Sequence, residues 1–214
     1  MNSSKIAKLQ FITPPQLNVA DLYTLSKQLL DYGLKWIQLR RKFENNSIED
    51  YNKRSLIQEA KALKVLCEQY DAQLIINDYV WLCQEIEANG IHLGRNDLSI
   101  KSARQILGQT CIIGTSSNSL CELNEAYDWG ANYSGLGPIY ATSTKKDHNP
   151  VLGWEKSAEI ITNFKQDLPV VLIGGISESD LPLHSIFEKC GIALSSALSD
   201  AKTFSKYKKY LNSF

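Results

Sequence analysis

Short runs rich in Ile, Leu and Val recur along this chain, each followed by a segment whose apolar residues repeat with helical spacing. Eight runs can be read in order: residues 9–13, 36–40, 74–78, 90–94, 111–116, the run that opens at Tyr133, 169–175 and 191–196. The helical segments carry their own punctuation. Asn18 caps one that stops at Gly33, Ser99 opens one that closes on Gly108, and Ser119 with Glu122 forms a capping box for one that ends at Gly130. Further helices are expected over 47–70, 79–88, 154–164, 179–189 and 201–211. Parallel strands need crossover connections, and apolar strands alternating with helices supply them. Eight such units predict an α/β chain folded as a (β/α)8 TIM barrel. A doubly wound open sheet would use fewer strands, and a Gly-x-Gly-x-x-Gly turn where this chain has Thr13-Pro14-Pro15.

The 214 residues, 43% hydrophobic and 21% charged, suit one sizeable core, so a single domain is expected over 1–214. Lys+Arg and Asp+Glu both number 23, which leaves no net charge to hold a nucleic-acid backbone or an anionic membrane. Small molecules are the expected partners, with no nucleic acid and no membrane; the sequence leaves a homo-oligomer open. Cys67, Cys83, Cys111, Cys121 and Cys190 include no Cys-x-x-Cys pair and lie mostly in apolar or helical stretches, as the buried, reduced thiols of a cytoplasmic protein would. The first residues hold no apolar leader core, and no apolar run is long enough to cross a bilayer.

In such a barrel the chemistry gathers at the C-terminal ends of the strands. Those ends are unusually polar here: Gln38, Arg40 and Lys42 on the second, Asn77 and Asp78 on the third, Asp97 after the fourth and Ser116 on the fifth. The sixth is followed by Thr142, Thr144 and Lys145, the seventh by Gly174 and Gly175, and the eighth by Ser195 and Ser196. Period-two alternation sets Gln38 and Arg40 on one face of the second strand and Ile37 and Leu39 on the other. With the apolar pair against the helices, Gln38 and Arg40 point inward, a costly place unless a ligand or water meets them. An internal Arg40 pair with Asp78 is the structural alternative. Asp78 and Asp97 are hard oxygen donors of the kind Mg²⁺ takes, too few to hold the ion without a polyphosphate. Gly174-Gly175 and Ser195-Ser196 stand where barrels bind a single phosphate through backbone N–H groups. His92, His148 and His184 show no metal-ligand spacing, and His92, which shares a strand face with Gly94, is expected to be a satisfied core residue, with a place at the mouth as the alternative.

Five segments together, Gln38-Leu-Arg-Arg-Lys42, Ile76-Asn-Asp78, Gly90-Ile-His-Leu-Gly94 with Asp97, Gly135-Leu-Gly-Pro138 with Thr142-x-Thr-Lys145, and Ile173-Gly-Gly-Ile176, resemble the thiamine phosphate synthase family over residues 34–197. The resemblance implies a Mg²⁺-dependent transferase that joins a 4-amino-2-methyl-5-hydroxymethylpyrimidine diphosphate to a thiazole phosphate, or its carboxylated tautomer, and releases pyrophosphate. It assigns Gln38, Leu39, Arg40, Arg41, Lys42, Asn77, Ser116 and Lys145 to the pyrimidine diphosphate, with Arg40, Lys42, Lys145 and Ser116 serving the chemistry. Asp78 and Asp97 go to Mg²⁺, and Thr142, Ser143, Thr144, Gly175, Ser195 and Ser196 to the thiazole phosphate. The chain departs from the family at Arg95-Asn96, at Asn118 where a His is often found, at Asn132, and over Phe187-Glu-Lys-Cys190. Two rivals follow: a thiazole tautomerase, which would want a proton-transferring His in place of Asn118, and a non-catalytic phosphate-ligand-binding paralogue.

Overall fold

A computed structural model describes residues 6–42, 50–141, 150–183, 189–198 and 201–210. Strands β1 (Leu9–Ile12), β2 (Trp36–Leu39), β3 (Gln73–Asn77), β4 (Gly90–Leu93), β5 (Ile112–Ser117), β6 (Tyr133–Leu136), β7 (Val170–Ile173) and β8 (Gly191–Leu194) form a closed barrel in chain order. Every neighbour pairs in parallel, and β1 closes the ring by pairing Leu9 with Ile192 and Phe11 with Leu194. The helices α1 (Val19–Asp31), α2 (Asp50–Gln69), α3 (Val80–Glu85), α4 (Ile100–Leu107), α5 (Leu120–Asp128), α6 (Trp154–Asn163) and α7 (Ala201–Phe204) occur between strands or after the last. Asn18, Ser99 and Ser119 cap α1, α4 and α5 as expected, each side chain accepting a hydrogen bond from the backbone N–H three residues on.

Strand alternation divides the core in two. Leu9, Phe11, Ile37, Leu39, Leu74, Ile76, Ile91 and Ile113 belong to a large cluster with helix residues such as Leu22, Leu29 and Leu63. Residues of the other parity, including Ile12, Trp36, Ile75, Ile112, Tyr133 and Val171, fill the barrel's interior. That interior is close-packed: the Trp36 and Tyr133 rings meet edge to face with centroids 5.4 Å apart. Gly114 makes room for the second ring, since a Cβ there would stand 2.1 Å from Tyr133 Cζ.

Two expected helices differ. Over 179–189 the chain forms a 3₁₀ turn, Glu178–Leu183, and 184–188 lie outside the described residues. Pro182 has no N–H for an α-helical bond back to Glu178, and the Asp180 carboxylate fixes the turn by accepting from Ser177 N and Oγ, each at 2.7 Å. The last helix is one α turn, α7, followed by a 3₁₀ segment, Ser205–Tyr210. Phe204 and Tyr207, both buried, are three residues apart, which suits the three-residue repeat of the tighter helix. No helix among the described residues is long and apolar enough to cross a membrane.

Candidate active site

A cavity of about 390 Å³ opens at the C-terminal ends of the strands. Nine of the sequence candidates line it: Gln38, Arg40, Lys42, Asn77, Asp78, Ser116, Gly175, Ser195 and Ser196. Gln38 and Arg40 do point inward while Ile37 and Leu39 pack outward, because β2 keeps strict alternation up to its end. Gln38 Nε2 donates to Asn77 Oδ1 across the pair at 2.8 Å, which fixes both buried amides and leaves their other polar atoms for a ligand. Arg40 is 9% exposed, and its backbone N–H donates to Thr13 Oγ1 at 2.9 Å. Burial pulls the guanidinium below its ordinary pKa, against the attraction of Asp78 and Tyr79.

The acidic groups meet at the ends of β3 and β4. Asp78 takes a left-handed backbone, φ 65°, a conformation that Asp tolerates better than most residues. Its carboxylate accepts from Lys42 Nζ at 2.5 Å. Asp97 accepts from Gly94 N at 2.7 Å and lies within hydrogen-bonding reach of Asp78. Desolvation, and then the neighbouring Asp78 charge, hold Asp97 above the usual carboxylate range, opposed by the Gly94 N–H and by Lys42. Two hard oxygen donors that repel each other suit a small divalent cation, so the pair fits Mg²⁺ with its remaining positions filled by water or phosphate. No group of three or more His, Cys, Asp or Glu side chains that could hold a metal ion occurs among the described residues.

The opposite rim is neutral. Gly174 and Gly175 have φ of 100° and 64°, and a Cβ on either would stand within 2.7 Å of Pro138 or Tyr140. The glycine pair is therefore demanded by the approach of the segment after β6, which pairs Ile139 N with Ile173 O and Tyr140 N with Gly174 O, each at 2.9 Å. Ser195 Oγ is buried without a hydrogen-bond partner among the described residues and faces the cavity.

Other candidates fall elsewhere. Leu39 packs in the outer core. Arg41 turns away from the cavity, on the same parity as Ile37 and Leu39: the guanidinium forks onto Glu59 of α2 and donates to Pro15 O at 2.8 Å and Leu17 O at 2.6 Å. Both side chains are thus corrected from substrate contacts to packing and anchoring. Arg41→Ala should cost about 3 kcal/mol by stranding the buried Glu59 carboxylate; urea unfolding should show that loss with KM values unchanged, whereas a raised KM at full stability would return Arg41 to the site. Thr142, Ser143, Thr144 and Lys145 lie outside the described residues, as do His148 and His184.

For His92 the sequence reading favoured a core role over a place at the mouth. It lines the cavity, with Nδ1 2.9 Å from Tyr133 Oη and Nε2 3.0 Å from Ser116 Oγ. Its satisfaction as a core histidine and its place at the site are the same two hydrogen bonds. The departures also have local roles. Arg95 pairs with Glu125 at 2.7 Å and lies over the Trp129 ring, and Asn132 Oδ1 accepts from Ile113 N and Arg104 Nη2, each at 2.8 Å. Asn118 Nδ2 donates to Gly137 O at 2.9 Å and Pro150 O at 3.1 Å, tying together the two chain segments that flank 142–149.

A sequence profile described as thiamine monophosphate synthase matches residues 9–198. The chain belongs to this family. A thiamine-phosphate synthase of Phocaeicola vulgatus is 40% identical over 203 residues, covering 92% of this chain and 93% of the relative. One from Flavobacterium johnsoniae is 40% identical over 177 residues, covering 81% and 80%. Among solved structures, thiamine phosphate pyrophosphorylase from Pyrococcus furiosus superposes with a TM-score of 0.76 at 27% identity, covering 98% of this chain and 96% of that one. The thiamine monophosphate synthase family thus accounts for the barrel and for the polar mouth at its C-terminal end.

Proposed function

We propose that this chain joins a pyrimidine methyl diphosphate to a thiazole phosphate, giving thiamine phosphate and pyrophosphate. The observation that carries the reading is the division of the mouth. Arg40, Lys42, Asp78 and Asp97 stand together around the ends of β2 to β4, while glycines and serines stand at β7 and β8. A multiply charged diphosphate suits the first arc, and a monophosphate held by backbone N–H groups and hydroxyls suits the second. Family membership and the relatives' names support the same assignment.

In this reading Gln38 and Asn77 orient the pyrimidine through the amide atoms that their mutual hydrogen bond leaves over. Arg40 and Lys42 balance the charge that grows on the departing pyrophosphate, in a half-enclosed site where such contacts strengthen. Ser116, held by His92, contacts the diphosphate side, to which the family resemblance also assigns Lys145. Gly175, Ser195 and Ser196 hold the thiazole phosphate, to which the resemblance also assigns Thr142 to Thr144. Asp78 and Asp97 would hold Mg²⁺, which when bound neutralises leaving-group charge. Departure of pyrophosphate leaves a cationic pyrimidine methylene, stabilised by the ring's amino group and captured by the thiazole nitrogen, so the chain need supply no nucleophile. Its remaining task is to keep water from that centre.

Incubation with both substrates and Mg²⁺ tests the reading: pyrophosphate and thiamine phosphate should appear together in equal amounts. Binding of both without pyrophosphate release would instead favour a ligand-binding paralogue. Ser196→Ala should raise the KM for the thiazole phosphate more than that for the pyrimidine diphosphate. An unchanged thiazole KM, also in Ser196→Leu, would remove Ser196 from that role. Against a tautomerase, the Asn118 amide is engaged with two backbone carbonyls and carries no titratable proton.

A further inference from the structure

At the N-terminal end of the barrel, away from the mouth, a second cavity of about 440 Å³ lies between the starts of β3 to β5 and the helices α3 and α4. Two cysteines share its wall: Cys83 on α3 and Cys111, immediately before β5. Their Sγ atoms are 3.9 Å apart, and among the described residues no other two sulfurs meet. Both side chains are buried against protein on their remaining sides, Cys83 Sγ lying 3.4 Å from Gly90 O and Cys111 Sγ 3.7 Å from Ile112 O. Arg104 is fixed beside the second of them, donating to Gly108 O at 3.0 Å, to Asn132 Oδ1 at 2.8 Å and to Cys111 O.

We propose that Cys83 and Cys111 form a dithiol modification site, which a small hydroperoxide entering the second cavity converts to an intramolecular disulfide. The two sulfurs differ in their surroundings. The contact shared with Cys83 and then the charge of Arg104, whose guanidinium is held on Cys111 O, favour the Cys111 thiolate against the penalty of burial, while Cys83 has no cation fixed on its own carbonyl among the described contacts. Its place beside Arg104 makes Cys111 the attacking sulfur. It bonds to one peroxide oxygen, the O–O bond breaks, and hydroxide leaves to become water, so that Cys111 carries a sulfenic acid. Cys83 then loses its proton and attacks the Cys111 sulfur. The S–O bond breaks and the second oxygen departs with the proton as water. One hydrogen peroxide is reduced by two electrons, two thiols become one disulfide, and two waters form. The sulfurs need to close from 3.9 Å to about 2.05 Å, and α3, only six residues long, is the element that has to give.

The exposed Cys121 provides an internal control, and the buried Cys67 and Cys190 provide two more. The test treats the fully reduced chain with graded hydrogen peroxide, alkylates the remaining thiols after denaturation, and maps the peptides by mass. The Cys83 and Cys111 thiols should be lost in step, with a linked peptide two hydrogens lighter than its parts, while Cys67 and Cys190 stay alkylatable. In Cys83→Ser the linked peptide should vanish and dimedone should label Cys111. The proposal is overturned if Cys121 is fully oxidised while Cys83 and Cys111 remain alkylatable, or if the disulfides that form join different chains.

Discussion

Asp78→Asn should lower turnover by at least about 100-fold while the chain stays folded. Asn tolerates the left-handed backbone that Asp78 adopts, so the substitution keeps the φ of 65° and changes charge alone. The loss is felt twice. Lys42 gives up the carboxylate 2.5 Å away, and the hard donor pair with Asp97 is reduced to one anion and one neutral oxygen. A metal that already depends on a polyphosphate co-ligand cannot spare that charge. Removing Asp78 also relieves Asp97 of a like charge and lets its pKa fall toward the ordinary carboxylate range. A binding readout separates this from a failure of chemistry: Mg²⁺ with pyrophosphate should raise the melting temperature of the unaltered chain and not that of the variant. Raised Mg²⁺ should restore part of the turnover. Full wild-type activity in excess chelator would reject the metal assignment outright.

Gly114→Ala should destabilise the barrel strongly. The added Cβ would lie 2.1 Å from Tyr133 Cζ and 2.6 Å from its hydroxyl. The ring has nowhere to retreat, since Trp36 meets it edge to face and His92 takes its hydroxyl in a 2.9 Å hydrogen bond. Overpacking against a rigid ring costs about 3 kcal/mol, which in a chain of this size lowers the melting temperature by about 6–12 °C. Turnover should fall as well, because displacing Tyr133 unseats His92 and through it Ser116, 3.0 Å away. Tyr133→Leu in the same chain should recover much of the stability and little of the activity. If the two substitutions were additive in stability, the clash with the ring would not be the cause.

The strands and most helices were legible because parallel strands buried on both faces read as plain apolar runs, and because Asn18, Ser99 and Ser119 mark helix starts with residue types that few other positions favour. Gln38 and Arg40 were legible by parity. The same parity turns Arg41 outward, but nothing local says that its partner is Glu59, eighteen positions on. For His92 both the expected satisfaction and the alternative place at the mouth are found, and only its partners were hidden. Its two partners, Tyr133 and Ser116, sit on β6 and β5, and only the closed ring brings them to one imidazole. The departure from α-helix over Glu178–Leu183 was written in the sequence, at Pro182, and was outweighed there by the apolar pattern around it.

The separation of charged from neutral groups around the mouth also bears on how the surrounding electrolyte acts. Under the proposed function Arg40, Lys42, Asp78 and Asp97 would act through full charges, and Lys42 is exposed to solvent, whereas Gly174, Gly175, Ser195 and Ser196 would offer only dipoles. Added potassium chloride screens the former far more than the latter. Ionic strength should therefore raise the KM for the pyrimidine diphosphate steeply and that for the thiazole phosphate little, so that in a salty medium the two substrates compete for the rate on unequal terms.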